Sequence, residues 1–395
     1  MCKKFLSSLF ILFAIFIQAQ IQSPKEYLRY SLGTNFSRHH QVVDYFKHLE
    51  TGSEALQLQS YGKTNEGRLL QLAFISSPEN LKNLESIRKT HLQNSGMEKG
   101  PMNNEKAIVW LSYNVHGNES SSTEAAMKTA HALLTKYSDW LKDTIVIIDP
   151  CINPDGRDRY VNFYNQTKST PYDSNGLTLE HRESWHSGRS NHYMFDLNRD
   201  WAWLTQLESE QRVKKYNLWL PHIHVDFHEQ GINNPYYFAP AAEPLHEVIT
   251  NFQIDFQDAI GKNHASYFDK EGWFYFTKQN FDLLYPSYGD SYPMFLGSIG
   301  MTYEQAGGGV AGLGIDNNEN IELTLIDRIE HHYTTGISTV EMAVKNKKIL
   351  NENYQAYFKN KNLKYKNFVL EGNVDKIDAL ASLLNKHDIK SYALK

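Results

Sequence analysis

Strand-like apolar runs that alternate with helical patterns predict an α/β fold, with a parallel or mixed sheet covered by helices on both faces. Three stretches carry that expectation. Ala107 to Val115 is a near-continuous apolar run; Ser120, Ser121, Ser122 and Thr123 follow it, and then a helical pattern through Ala126, Ala130, Leu133 and Leu134. Asp143 to Asp149 has the composition of a second buried strand. Leu204 to Leu220 reads as a helix that feeds a third strand at His222 to His228. Between the second and third strands, Cys151 to Met194 shows no periodicity, and loops of that length are usually functional or disordered.

With 395 residues, 41% of them hydrophobic and 22% charged, the chain can bury a large core. Its net charge is −5 and no long run of one sign occurs, so the electrostatic footprint of a nucleic-acid binder is missing. Residues 1–20 have the pattern of a secretory signal peptide: Lys3 and Lys4, an apolar run from Leu9 to Ile17, then Ala19 near a cleavage point. That run is too short to span a bilayer, and no later stretch is long and apolar enough to do so. The expected location is therefore secreted or periplasmic. Cleavage would remove Cys2 and leave Cys151 as the one cysteine, a small buried hydrophobe, so no internal disulfide can form.

The C-terminal part reads differently. Helical periodicity from Ile321 to Val344 ends in Lys345, Lys347 and Lys348. Phe368 to Leu370, Val374 to Leu384 and Ile389 to Leu394 then read as strand, helix and strand. A lone βαβ unit cannot bury both faces, so this partial segment, 346–395, is expected to open a further domain or to dock on the main one, 21–345.

The chemistry begins where the first strand ends. His116 and Glu119 stand three residues apart between a strand and a helix, where ligands gather in open α/β sheets. Imidazole and carboxylate suit Zn²⁺, although the spacing alone is better explained by a capping or surface pair. A third donor is available on the strand Pro221 to Gln230. With a period of two, His222, His224, Asp226 and His228 share one face while Ile223, Val225 and Phe227 share the other. His228, at the carboxyl end, is the better ligand; His222 and His224 read as satisfied core histidines. Asn198 and Arg199 set an amide beside a guanidinium, a pairing able to grip a carboxylate. Glu304 follows Gly297 and Gly300 at the end of a short apolar run, where a strand would present it.

Taken in order, His116-x-x-Glu119, Asn153-Pro154-Asp155-Gly156, Asp196-Leu197-Asn198-Arg199, Asp226-Phe227-His228 and Thr302-Tyr303-Glu304 resemble the zinc metallocarboxypeptidases of the carboxypeptidase A and B type, over about Arg38 to Val344. The resemblance implies an α/β/α fold around a mixed, mostly eight-stranded sheet, one catalytic Zn²⁺, and hydrolysis at the C-termini of peptide or protein substrates. Position by position it implies His116, Glu119 and His228 as zinc ligands, Glu304 as general base, and Asn198 and Arg199 as the clamp on the terminal carboxylate. For the arginine that polarises the carbonyl it implies Arg189, with Arg157 and Arg159 as rivals, since Lys168 stands where the animal digestive enzymes carry theirs. A substrate-capping tyrosine is expected at Tyr285 or Tyr288. Asp290, in the loop that usually forms the side-chain pocket, could attract Lys or Arg, but a Gly-Asp pair also suits an exposed turn. Two other readings keep the same residues: a zinc amidase or endopeptidase acting on cell-wall peptides, and a non-catalytic peptide-binding module.

Overall fold

A computed structural model describes residues 21–359, 365 and 367–393. The expected signal peptide lies outside them. The core of the fold is an eight-stranded mixed sheet. In chain order its strands are β1 (Leu56–Lys63), β2 (Leu69–Ile75), β3 (Ala107–Tyr113), β4 (Thr144–Asp149), β5 (Ile223–Gln230), β6 (Tyr236–Tyr237), β7 (Tyr275–Phe276) and β8 (Ile299–Ala306). They lie side by side as β1-β2-β4-β3-β5-β8-β6-β7. The four central strands β4, β3, β5 and β8 are parallel, and β1 and β2 add antiparallel partners at one edge. The three strands expected from apolar runs are the middle of this sheet.

The longer helices are α1 (His39–Gly52), α2 (Leu84–Ser95), α3 (Ser121–Thr135), α4 (Pro154–Thr167), α5 (Leu207–Asn217), α6 (Asn251–Glu271), α7 (Leu325–Lys345), α8 (Lys347–Lys359) and α9 (Val374–Lys386). The alternation of side chains along each strand divides them between two layers. Val109, Leu111, Val225, Phe227, Met301 and Tyr303 meet α1, α3, α6 and α7 on one face. Ile108, Trp110, Ile145 and Ile147 meet α2, α5 and α8 on the other. Both faces being covered explains why the central strands read as unbroken apolar runs.

Three expectations need correction. The stretch without periodicity contains α4, a 14-residue helix with Pro154 at its start and Asn153 as its cap. Its buried set mixes Tyr160, Val161 and Tyr164 with Asp155 and Arg157, and those buried charges hide the apolar stripe. The helix expected from Ile321 starts at Leu325, because Glu322–Thr324 pair with Gly314–Asp316 as a short strand and Thr324 caps the helix. In the C-terminal segment the helix forms, but Phe368–Leu370 and residues 389–393 are not strands. Phe368 and Val369 are exposed, and no neighbouring strand pairs with them among the described residues, so their backbone groups have no ladder to join.

Candidate active site

The carboxyl ends of β3, β5 and β8 converge on one polar cleft. After β3 the chain turns through Asn114, held in the left-handed region at φ 62°. Its amide donates to the carbonyls of His116 and Glu119 at 2.8 and 3.0 Å, which shapes the turn that carries both side chains. Gly117 is required there, because a Cβ would lie 2.2 Å from the backbone of Gly156 and Arg157. His228 lies near the carboxyl end of β5 and stands beside Glu304 of β8 in parallel register.

His116, Glu119 and His228 are buried, and their donor atoms lie within 4.8 Å of one another. His116 Nδ1 is 2.8 Å from Glu119 Oε1, His228 Nδ1 is 3.1 Å from Glu119 Oε2, and the two Nδ1 atoms are 3.2 Å apart. The outer nitrogens have partners as well. His116 Nε2 is 2.9 Å from Asp196 Oδ1, and His228 Nε2 is 3.0 Å from Asp226 Oδ2 and 3.2 Å from Asn198 Nδ2. Ring nitrogens backed by carboxylates while their other nitrogens converge are the arrangement that metal-ligating histidines show. Burial pushes the Glu119 pKa up, but the two imidazoles outweigh it and hold this carboxyl well below the usual range. The same opposition, with Asp226 and Glu119 prevailing over burial, raises the His228 pKa well above normal. Four carboxylates, Glu119, Asp196, Asp226 and Glu304, surround two imidazoles, so the donor set fits a divalent cation.

Glu304 is 8% exposed. Burial first, and then the charges of Glu119, Asp226 and Asp290, push its pKa up to about 8, against the opposing pull of His228. It faces a cavity of about 370 Å³ that is also lined by His116, Glu119, His228, Arg189, Asn198, Arg199, Tyr288 and Asp290. Arg189 Nη1 donates to Glu119 at 3.1 Å and Nη2 to Asp196 at 3.0 Å. The Asn198 side-chain Oδ1 accepts the Gly289 N–H at 2.8 Å, and the Arg199 guanidinium lies 4.6 Å from the Tyr288 ring centre.

The rivals lie elsewhere. Arg157 is buried and donates to Glu124, Ser37 and Ser120. Arg159 donates to the carbonyls of Ser187, Ser190 and Asn191, and so braces the loop that presents Arg189. Asn153 acts on the same loop, its amide donating to the Arg189 carbonyl at 3.1 Å. Lys168 ends α4 and does not line the cavity. Of the two tyrosines, Tyr288 lines the cavity, whereas the Tyr285 hydroxyl accepts the Trp203 indole N–H at 2.7 Å. Asp290 departs from the exposed-turn reading: it is buried on the cavity wall, accepts the Ser291 N–H at 2.7 Å, and burial raises its pKa to about 6. Sequence reasoning assigned no role to Asp196 or Gly289. The first could have been suspected from its place before Asn198. The second shows only in three dimensions, since a Cβ there would sit 1.9 Å from Asp226 Oδ2.

The Peptidase_M14 family model, described as zinc carboxypeptidase, matches residues 42–219. This part of the chain is similar to the zinc carboxypeptidase family. The family consists of peptide hydrolases, and its match holds His116, Glu119, Arg189, Asn198 and Arg199 but ends before His228 and Glu304. No curated protein matches the sequence. Among solved structures, a metallo-carboxypeptidase from Burkholderia cenocepacia is similar at 14% identity and TM-score 0.53, over 78% of this chain and 70% of that one. The carboxypeptidase A of Helicoverpa armigera is similar at 16% identity and TM-score 0.50, over 82% and 75%. A metallo-carboxypeptidase from Pseudomonas aeruginosa is similar at 13% identity and TM-score 0.51, over 80% and 70%. At these identities the likeness establishes the carboxypeptidase-type fold.

Proposed function

We propose that this zinc carboxypeptidase domain releases C-terminal residues from peptides, with one zinc ion held by His116, Glu119 and His228. The observation that carries the reading is the convergence in one cavity of this donor set with Glu304, Arg189, Asn198 and Arg199. Zinc in such a site supplies Lewis acidity and acidifies a water molecule. Glu304 takes the proton of the attacking water and returns it to the leaving amine. Its raised pKa in a carboxylate-rich pocket suits a group that must both accept and release a proton, and a cation at the donor set would draw that pKa down. Arg189 is placed to face the oxyanion that develops on the scissile carbonyl. Asn198 and Arg199 grip the terminal carboxylate, and Tyr288, stacked on Arg199, covers it.

Asp290 supports a preference for Lys or Arg at the terminal position, because it places a carboxylate on the cavity wall. The apolar run at the N-terminus supports export, so the site of action would be secreted or periplasmic. The test is release of the last residue from peptides ending in Phe, Lys, Arg and Glu, with and without a chelator. Chelator-sensitive release, fastest for Lys and Arg, is expected. Release that persists on C-terminally amidated peptides would favour the endopeptidase reading, and zinc binding without any release would favour a binding module.

A further inference from the structure

Three arginines are buried in the interior: Arg157, Arg212 and Arg328. Two are explained by ion pairs, Arg157 with Glu124 and Arg328 with Glu229. Arg212, on α5, makes no ion pair within 4.0 Å among the described residues. Its Nε and Nη1 have no hydrogen-bond partner, its Nη2 donates to the Leu197 carbonyl at 3.2 Å, and its guanidinium lies 4.1 Å from the Trp201 ring centre. A buried cation so poorly paired is costly unless distant charges hold it.

Those charges are on the sheet beneath. Ser112 of β3 is in register with Asp149 of β4 on one side and Asp226 of β5 on the other, so two buried carboxylates flank it roughly 10 Å apart. Asp149 has its own partner, the Tyr61 hydroxyl at 2.7 Å. The ring of Tyr216, one helical turn after Arg212, meets His224 at 5.4 Å, which sets Arg212 near the level of Asp226. Burial lowers the Arg212 pKa, and Asp226 is the strongest of the charges that oppose it.

The hydrogen bond and the stacking of Arg212 both reach the segment that forms one side of the cleft. Leu197 lies between Asp196, which stands behind His116, and Asn198. We propose that Arg212 is a positioning residue that joins the metal centre to the carboxylate clamp: its hydrogen bond to the Leu197 carbonyl and its stacking on Trp201 hold the segment 196–201, which carries both Asp196 behind His116 and the Asn198/Arg199 pair. This rests on the proposed zinc carboxypeptidase reading.

The test uses the full chain, with zinc affinity measured by chelator competition beside KM, kcat and thermal unfolding. Arg212→Met is expected to weaken zinc up to about 10-fold, because Asp196, the partner behind His116, loses the anchor of its segment. At saturating zinc it is expected to raise KM for a free-carboxylate peptide several-fold more than it lowers kcat. Arg212→Lys should restore neither zinc affinity nor KM, because an ammonium carries the charge without the flat fork that reaches Leu197 and stacks on Trp201. Variants with wild-type zinc affinity and KM, whatever their melting temperature, overturn the proposal. If Arg212→Met does not fold, Trp201→Phe, which weakens the stacking alone, is measured in the same way. A raised KM is expected there too, and a wild-type KM overturns the proposal. A wild-type chain that binds no zinc removes the metal reading itself, a different failure from wild-type zinc binding that is indifferent to Arg212.

Discussion

Glu304 sits in parallel register beside His228 at the carboxyl edge of the sheet, which leaves its carboxyl inside the cleft but outside the donor triad. Glu304→Gln keeps the shape and removes the base, so zinc affinity should be retained while kcat falls at least about 100-fold, the usual contribution of a positioned base. A variant with near-normal turnover would remove Glu304 from that role. The two arginine candidates separate in the same way. Arg189→Met should lower kcat by about 100-fold or more, as loss of an oxyanion donor does, with a melting temperature close to wild type. Arg157→Met should leave the buried Glu124 without its cation and cost about 3–5 kcal/mol of stability, measured by denaturant unfolding. His116, Glu119 and His228 were legible because their chemical types are restrictive and their spacing places them at strand ends. The choice between Arg157, Arg159 and Arg189 was not, because an arginine that pins a loop and one that faces a cavity look alike in a sequence.

The elements that build the cleft divide along similar lines. β3, β4 and β5 were legible as buried runs, and the alternation along β5 correctly separated Ile223, Val225 and Phe227 from the polar face. The helix α4 was missed because its buried face carries Arg157 and Asp155, whose partners lie in distant segments: Glu124 for the first and Thr64 and Arg68 for the second. The expected C-terminal strands were misjudged for the opposite reason, since apolar composition makes a strand only where another strand supplies hydrogen bonds. Close packing between elements yields a further expectation. Gly300 of β8 faces the Asp290 carbonyl so closely that a Cβ would lie 1.8 Å from it. Gly300→Ala must therefore push the Asp290 loop off the strand. We expect a stability loss of about 1–3 kcal/mol, seen in chemical unfolding, together with a reduced preference between Lys- and Phe-terminated peptides.

For the molecule as a whole, buried histidines that do not line the cleft make stability depend on pH. Burial lowers the pKa of His91 to about 4, of His264 to about 3 and of His331 to about 4. In the unfolded chain each returns to about 6.5, so between these values the unfolded state binds more protons. Stability is therefore full above about pH 6.5 and falls as pH drops toward 4, by about 1.4 kcal/mol per unit for each histidine. Thermal unfolding from pH 7 to pH 4.5 should show a steep decline, and His264→Gln, which can still meet Ser338 and Tyr303, should flatten it. The sequence by itself determined the α/β class, the central strands and the identity of the metal-binding candidates, because apolar periodicity and donor chemistry are local properties. Only the tertiary structure decided which arginine faces the cavity, that Asp290 is buried in its wall, and that Asp196, Asp226 and Gly289 support the site. Those facts depend on contacts between segments up to about 90 residues apart, such as Gly289 with Asn198, and no local pattern encodes them.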